Sequence, residues 1–569
     1  MTTDRPSTTG FARLRDRAEA WIAADPDELT RAQLSEIVDR AELTGELAEL
    51  DDHVGRRLEF GTAGLRGEMG PGPNRLNRLV VRQTAAGLAA ALHAHANAAA
   101  GVLVGHDARH HSAVFARDIV SVLVAADVPC ELVDGPNPTP LIAWGMRHLG
   151  CTAGVVVTAS HNPARDNGIK IYWSDGAQII PPIDRWIAEA IDLAASDGDP
   201  TAPAIDPTLA SPTLTDDYVS FVAGLVPSAD RRTGRLRIAA TSLHGVGDTL
   251  LRRCLDAAGF DDVHTVTTQA QPDPDFPTVT FPNPEEPGAT DLLLELAAAA
   301  DADVAFANDP DADRLAVAVP TDDGWRLLGG DDVGVLFAAG LLERAPAPAR
   351  RAHAIETTPL LVTTVVSSQL LAKMAAHAGV AFRETLTGFK WLCRPALADP
   401  ALEQLLAYEE ALGYAIGHLR DKDGLSAAVV MADLMGAWKE AGTSALEVLD
   451  GLARIHGAHV QHNVSIRVTG PGWLEEITAL AASVADAPPT ALAGVAVQRT
   501  DRPADDVIRL FLANGDRVVI RPSGTEPKLK IYAEAVEAVR GAEAPAAARQ
   551  RAGERLELIH RELAALMDR

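Results

Sequence analysis

The sequence predicts an α/β protein of several domains, and three observations carry that expectation. Strand-like runs alternate with helical ones from Leu79 onward, as in Val102 to Val104, Ala113 to Ala126 and Gly154 to Val157, the pattern of a parallel sheet with covering helices. The chain has 569 residues, enough for about three to five domains. Between Ser196 and Asp217 the prolines Pro200, Pro203, Pro207 and Pro212 sit among Ala, Asp and Thr, which prevents regular structure and reads as a linker.

The elements follow in order. The segment to about Leu58 reads as helical, because Leu34, Ile37, Val38 and Ala41 recur at helix spacing between charged residues, and it is expected to pack outside the first sheet. The first domain is expected over 1–205. A second, over 206–323, starts with the strand Leu236 to Ala240 and ends with the strand pair Val304 to Ala307 and Leu315 to Val319. A third spans 324–455. The last, 456–569, carries alternating strands such as Val464 to Val468 and Val518 to Ile520, then a long helix from about Pro545, and reads as α+β rather than doubly wound. The first three units are candidates for a shared architecture, although no exact short-period repeat links them.

Composition narrows the function. Hydrophobic residues at 47% and charged residues at 23% match ordinary globular usage, so the chain is not a disordered one. A formal net charge of -27 argues against a general nucleic-acid binder and against attraction to anionic membranes. A phosphate-ester substrate would then need a local basic pocket on an acidic body. The first twenty residues hold no apolar signal-peptide core, and no apolar run reaches membrane-spanning length. Cys130, Cys151, Cys254 and Cys393 are scattered without C-x-x-C spacing, which fits buried thiols better than disulfides or zinc. A soluble cytoplasmic protein is expected.

Four loops carry candidate chemistry. In Thr158-Ala-Ser-His-Asn-Pro163, followed by Asn167, Gly168 and Lys170, the β-branched run Val155 to Val157 delivers one exposed serine, Ser160, at a strand's C-terminal end, where α/β sheets present ligand-binding groups. His161 and Lys170 can stabilise charge or move protons there. An ordinary Ser/Asn/Pro turn is the alternative. In Asn308-Asp-Pro-Asp-Ala-Asp-Arg314, three carboxylates stand at alternate positions. The loop fails as a helix-loop-helix calcium site, since Arg314 stands where glycine is needed and Pro320 where a bidentate glutamate is needed. Asp309, Asp311 and Asp313 suit a small hard cation such as Mg2+, with Arg314 as a neighbouring positive charge; the alternative is a solvated acidic turn.

Arg521-Pro-Ser-Gly-Thr-Glu-Pro527 lies between two short strands. Arg521 offers a bidentate fork, Ser523 and Thr525 offer hydroxyls, and Gly524 lets backbone N–H groups approach an anion. With Lys528 and Lys530 beside it, a phosphate cradle is preferred to a plain hairpin turn. Glu409 and Glu410, in Glu409-Glu-Ala-Leu-Gly-Tyr414, can accept hydrogen bonds from vicinal sugar hydroxyls, or form a solvated face. Lys390, in Thr387-Gly-Phe-Lys390, can add a cation to the same pocket.

Taken together, with Gly61-Thr-Ala-Gly-Leu-Arg-Gly67 at the start, these loops resemble the α-D-phosphohexomutases, the phosphoglucomutase/phosphomannomutase superfamily, over nearly the whole chain and in the family's order. The resemblance implies four domains around a central cleft, three similar mixed α/β sheet domains plus a C-terminal α+β domain, each giving one loop: phosphoserine, metal, sugar and distal phosphate. It implies that Ser160 is the phosphorylated serine and contributes to the metal shell, and that Asp309, Asp311 and Asp313 hold one Mg2+ per active site. Arg66, His161, Lys170 and Arg314 match positions around the transferring phosphoryl group, with Lys170 as general base. Glu410 matches the leading glutamate of the sugar loop, which Glu409 and Lys390 would adjoin as further sugar contacts, and Arg521, Ser523, Gly524 and Thr525 match the loop for the distal phosphate.

One departure concerns the sugar loop. Many bacterial members carry Ser two positions and His four positions after its leading glutamate, where this chain has Leu412 and Tyr414. That variant, with Glu59-Phe-Gly-Thr-Ala-Gly64 and Glu384-Thr-Leu-Thr-Gly-Phe-Lys390, is similar to the longer branch that includes eukaryotic phosphopentomutases. The expected activity is interconversion of hexose 1-phosphate and hexose 6-phosphate, of glucose first and mannose second, through a sugar 1,6-bisphosphate that also serves as activator. The alternatives are a phosphopentomutase acting on ribose or deoxyribose 1-phosphate, a glucose-1,6-bisphosphate synthase, and a silent sugar-phosphate binder. A magnesium phosphatase with an aspartate nucleophile would need a D-x-D-x-T motif, which Asp313-Arg314 does not provide. Sugar phosphates are the expected partners, of a monomer or homodimer.

Overall fold

A computed structural model describes residues 8–61, 64–196, 198–200, 202–227, 236–344, 357–467, 473–522 and 528–567. The chain forms two compact units, Met1–Leu327 with Leu419–Val430, and Leu328–His418 with Met431–Arg569. Each holds two sheets.

In the first unit, one six-stranded sheet contains β1 (Phe60–Gly61), β2 (Gly64–Glu68), β3 (Val102–His106), β4 (Cys130–Leu132), β5 (Ala153–Val157) and β6 (Asp166–Tyr172), in the order β1-β2-β6-β5-β3-β4. Strands β4, β3 and β5 run parallel and β6 runs antiparallel to β5. Every residue of β3 and β5 is buried, which is why these strands read as continuous apolar runs rather than as alternating ones. Helix Arg78–His95 begins where Asn77 Oδ1 accepts from Val80 N at 3.1 Å, satisfying a donor that helix geometry leaves open. The N-terminal segment forms helices Thr8–Ala24, Glu28–Thr44 and Ala48–Val54. Their Leu14, Trp21, Leu34, Ile37 and Leu50 share one apolar core with Leu79, Val80, Val104 and Val155. Full burial of each such side chain is worth about 1.5–3 kcal/mol, which fastens the helices to the first sheet.

The second sheet contains β7 (Ile238–Thr241), β8 (Val263–Thr265), β9 (Val304–Ala307), β10 (Ala316–Thr321) and β11 (Gly324–Leu327), ordered β11-β10-β9-β7-β8. It reaches past residue 323 because β11 pairs antiparallel with β10.

In the second unit, the third sheet contains β12 (Thr358–Thr364), β13 (Ala381–Thr385), β14 (Leu402–Glu409) and β15 (Gly413–Ile416), ordered β13-β12-β14-β15. The three orders share one pattern: β4-β3-β5-β6, β8-β7-β9-β10 and β13-β12-β14-β15 each place three parallel strands beside one antiparallel strand. The serine, aspartate and sugar loops each join the last two strands of that pattern. Equivalent topology therefore puts the three loops at equivalent sheet ends.

The fourth sheet is wholly antiparallel, with β16 (Ala458–Arg467), β17 (Ala491–Leu492), β18 (Val495–Ala504), β19 (Val507–Leu512), β20 (Arg517–Pro522) and β21 (Lys528–Glu537) ordered β16-β21-β20-β19-β18-β17. Helices Trp473–Asp486 and Pro545–Met567 supply Ile477, Leu556, Ile559 and Leu563 to a core with Leu510, Ile520 and Ile531, the α+β arrangement expected of this region. All four cysteines are free, three of them buried and Cys151 half-buried. Among the described residues, no helix is long and apolar enough to cross a membrane.

Candidate active site

The serine loop departs from the sequence expectation in one respect. Ser160 is not exposed but buried, at 2%, because the aspartate loop of the neighbouring sheet closes over it. Its Oγ donates to Asp309 Oδ2 at 2.9 Å and lies 3.2 Å from His161 Nδ1. The backbone there is left-handed, with φ of 52° at Ser160 and 56° at Ala312 in the aspartate loop. For residues with a Cβ this costs about 1–3 kcal/mol and concentrates at functional sites. Leu412 of the sugar loop shares it, with φ of 62°.

Two groups hold the serine loop in that shape. Thr158 Oγ1 accepts from Ser160 N at 2.9 Å. The Arg109 guanidinium donates to four carbonyls of the loop, those of Ser160 at 2.6 Å, Asn162 at 2.5 Å, Pro163 at 2.8 Å and Asp166 at 3.1 Å. Beyond the loop, Gly168 lies opposite Arg66 on the adjacent strand. A Cβ on Gly168 would stand 2.6 Å from Leu65 O and 2.8 Å from Arg66 Cγ, so only glycine lets β2 carry Arg66 this close.

The aspartate loop is fully buried at Asp309, Asp311 and Asp313. One ligand oxygen from each lies within 4.8 Å of the others. Lys170 Nζ donates to Asp311 Oδ2 at 2.6 Å and to Asp313 Oδ2 at 2.5 Å, and Lys422 Nζ to Asp313 Oδ2 at 2.8 Å. Thr139, at the start of helix Thr139–His148, grips Asp311 twice, through Oγ1 at 2.7 Å and through its backbone N–H at 2.9 Å. Arg314 Nε stands 3.9 Å from Asp309 Oδ2, and its backbone N–H donates to Asp309 Oδ1 at 3.0 Å.

Charge separates the three acids. Burial, reinforced by repulsion from Asp313 and Asp311, pushes Asp309 up to about 8. Burial would push Asp311 up as well, but the attraction and hydrogen bond of Lys170 outweigh it and hold that carboxyl far below the usual range. Burial, together with repulsion from Arg314 and Arg66, keeps His161 neutral. The same burial lowers the Arg66 guanidinium, with Asp311 and Asp313 acting in the other direction.

These residues fit a divalent cation. Asp311 Oδ1 and Asp313 Oδ1 are buried and make no hydrogen bond among the described residues. Buried carboxylate oxygens so placed carry a desolvation cost that a hard cation offsets.

Sequence reasoning missed Lys422, Thr139 and Arg109. Arg109 stands three positions past the end of a parallel strand, a place that could have flagged it. The other expected residues belong to the second unit. Glu409 ends β14 and Glu410 follows it; Thr364 Oγ1 and Ser367 Oγ donate to Glu410 Oε2 at 3.3 and 3.2 Å. Lys390 Nζ lies 5.7 Å from the Trp391 ring, and Arg521 is on β20. Ser523, Gly524 and Thr525 lie outside the described residues.

Comparison with known proteins then bears on the site. Four family models match in succession: phosphoglucomutase/phosphomannomutase alpha/beta/alpha domain I at residues 57–197, domain II at 216–324, domain III at 329–454 and the C-terminal domain at 469–550. The chain is 38% identical over 475 residues to a protein of Haemophilus influenzae named probable phosphomannomutase, covering 81% of this chain and 93% of the relative. It is 34% identical over 572 residues to the Homo sapiens phosphopentomutase, covering 92% and 91%. Among solved structures, a phosphoglucomutase/phosphomannomutase family protein from Burkholderia thailandensis aligns with a TM-score of 0.67 at 20% identity, over 89% of this chain and 97% of that one, a likeness of fold.

Proposed function

Because the chain belongs to the phosphoglucomutase/phosphomannomutase family of the α-D-phosphohexomutase superfamily, and is thus a phosphomutase and an intramolecular phosphotransferase, we propose that it interconverts the 1-phosphate and 6-phosphate of a hexose, glucose or mannose, with Ser160 as the residue that carries the phosphoryl group. The observation that carries this reading is the 2.9 Å hydrogen bond from Ser160 Oγ to Asp309, inside a buried trio of carboxylates ringed by Lys170, Lys422, Arg66 and Arg314.

In this reading the phosphorus–oxygen bond to Ser160 breaks as a bond forms to the free hydroxyl of the sugar monophosphate, giving the sugar bisphosphate and free Ser160. The hydroxyl's proton is removed by way of Lys170 and ends on the Ser160 oxygen that leaves, so the transfer gains and loses no proton overall. Lys170 Nζ is held for that role by Asp311 Oδ2 at 2.6 Å and Asp313 Oδ2 at 2.5 Å. The bisphosphate then returns its other phosphoryl group to Ser160. A trace of free bisphosphate acts as activator by recharging the serine. Neutral His161 adds a hydrogen bond at Ser160 Oγ without adding charge, while Arg66 and Arg314 offset charge on the transferring group. Asp309, Asp311 and Asp313 would hold one Mg2+ together with an oxygen from phosphorylated Ser160; such an ion neutralises charge on the phosphoryl oxygens. Glu409, Glu410 and Lys390 hold the sugar, and Arg521 with Ser523, Gly524 and Thr525 the phosphate that does not react. A serine monoester suits the carrier's role, since phosphate monoesters hydrolyse extremely slowly without catalysis.

A second reading, a mutase of ribose or deoxyribose 1-phosphate, is favoured by the sugar loop. Leu412 and Tyr414 are buried, with Tyr414 Oη donating to Gly330 O at 3.3 Å and its ring 5.1 Å from Phe337. Neither then offers a sugar hydroxyl a partner, which suits a smaller sugar. Initial rates on glucose, mannose, ribose, deoxyribose and glucosamine 1-phosphates, each with Mg2+ and a trace of the matching bisphosphate, test both readings. Higher kcat/KM on glucose or mannose supports the first, and higher kcat/KM on a pentose replaces it with the second. Accumulating bisphosphate would indicate a synthase, released inorganic phosphate a phosphatase, and no turnover a binder; each would overturn the proposal.

A further inference from the structure

We propose that Arg517 and Glu534 of the fourth sheet are positioning residues for the sugar loop, acting on Glu410 through the turn Thr364 to Ser368; the inference rests on the role given to Glu410 above. That turn leaves β12 and presents its hydroxyls to Glu410. Thr364 Oγ1 and Ser367 Oγ stand 2.7 Å apart, and both donate to Glu410 Oε2. Its other groups face the fourth sheet. The Arg517 guanidinium donates to Ser367 O and, at 3.3 Å, to Glu384 Oε1 at the end of β13. Glu534 accepts from Ser368 Oγ at 2.6 Å and from Gln369 N at 3.0 Å. Val365 and Val366, between those polar contacts, form one apolar cluster with Val507, Val519 and Tyr532 of the fourth sheet.

The turn is therefore held on one side by packing and two buried charges, and on the other side it supplies donors to the carboxylate that reads the sugar. Arg517 and Glu534 are each 2% exposed, and Ser367 is fully buried, so none of these can reach solvent to escape the geometry. A buried guanidinium needs its acceptors, since an unpaired charge there is strongly destabilising. Shifting the fourth sheet against the turn would carry Ser367 with it and change the direction from which Glu410 is held. A second route reaches the same loop: Ser368 N donates to Asp331 Oδ1 at 2.7 Å, which also accepts from Tyr408 Oη at 2.8 Å, two residues before Glu410.

The test is a double-mutant cycle on kcat/KM for the best sugar 1-phosphate, using Arg517→Met and Glu410→Ala in the full chain. Residues acting through one network show non-additive losses. Arg517→Met is expected to lower kcat/KM by about tenfold in the parent and by less than about threefold once Glu410 is absent, mainly through KM. Equal losses in both backgrounds would overturn the positioning role while leaving Glu410 as a sugar ligand. No loss from Glu410→Ala alone would overturn the sugar-loop reading and this inference with it. If Arg517→Met does not fold, Ser368→Ala, which removes the hydroxyl bound to Glu534 and keeps both charges, takes its place in the cycle with the same expected and contrary outcomes.

Discussion

Ser160 Oγ donates to Asp309 Oδ2 at 2.9 Å, although 149 residues separate them along the chain. The first sheet delivers one partner and the second sheet the other, each on a loop that joins an antiparallel strand to its parallel neighbour. A hydroxyl held against an acid that burial and two like charges push up to about 8 sits where added negative charge requires compensation by cations. Ser160→Ala is expected to remove turnover, by at least about a thousandfold in kcat, while sugar-phosphate binding measured by calorimetry stays within a few-fold of the parent. Parental rates in that variant would remove Ser160 from the role.

Among the described residues Asp311 Oδ1 and Asp313 Oδ1 make no hydrogen bond, and they set the next expectation. Asp311→Asn halves what that residue can offer a cation and weakens its hold on Lys170 and Thr139. The Mg2+ concentration giving half-maximal rate should rise by about tenfold or more, and kcat should fall alongside. Exhaustive chelation should abolish activity in the parent, with Mg2+ restoring it. Full rates after chelation would show that the trio serves another purpose.

Gly168→Ala probes the approach of β2 to the serine loop. The new Cβ would meet Leu65 O at 2.6 Å, and Arg66 Cγ and Thr158 O at 2.8 Å, two of them backbone atoms that cannot rotate away. Overpacking of this kind costs about 1–3 kcal/mol. A lower unfolding midpoint and a reduced kcat are expected together, since Arg66 moves with the strand. An unchanged midpoint and rate would mean that the strands separate without consequence.

Arg521→Ala should chiefly raise KM, by about tenfold or more, with kcat changing much less, because the residue is assigned to the phosphate that does not react. Initial-rate measurements over a wide range of substrate concentration separate the two constants. A loss confined to kcat would place Arg521 at the reacting group instead.

Much of this architecture was legible in the sequence because its signals are local. The strands flanking the serine and aspartate loops, the N-terminal helices and the helix from Pro545 all follow from periodicity and turn residues within a short window. What remained hidden arises from approach through space. Lys422 sits in the segment Arg420 to Gly424, which reads as an ordinary charged turn, and only folding brings its Nζ to Asp313. Tyr414 looks like a loop residue beside two glutamates, yet it lies on β15, every residue of which is buried. The likeness of the first three sheets was expected from the family resemblance, while their strand order was not legible in local pattern, since pairing between distant strands leaves no short-range repeat in the sequence.

Glu534 supplies a prediction about pH. Burial would raise this carboxyl, but hydrogen bonding from His459 and the charge of Arg517 outweigh it and bring it down to about 2. Lys373, whose Nζ stands 2.9 Å from His459 Nε2, adds positive charge behind that ring, and nearby Asp331, pushed up to about 8 by burial, stays protonated over this range. In the unfolded chain the same group ionises near its ordinary value of 4.5. Between those two values the unfolded chain binds a proton that the folded one refuses, so stability falls as the solution is acidified. The contribution is complete above about pH 5 and is lost as pH drops toward 2, and it amounts to about 3 kcal/mol. Glu534→Gln, which keeps shape but not charge, should therefore be less stable than the parent at pH 7 and at pH 5 by similar amounts, and the gap should narrow at pH 3. Urea unfolding of both proteins at the three pH values checks this. A gap that stays constant down to pH 3 would show that the charge of Glu534 contributes nothing and that its hydrogen bonds alone hold the turn.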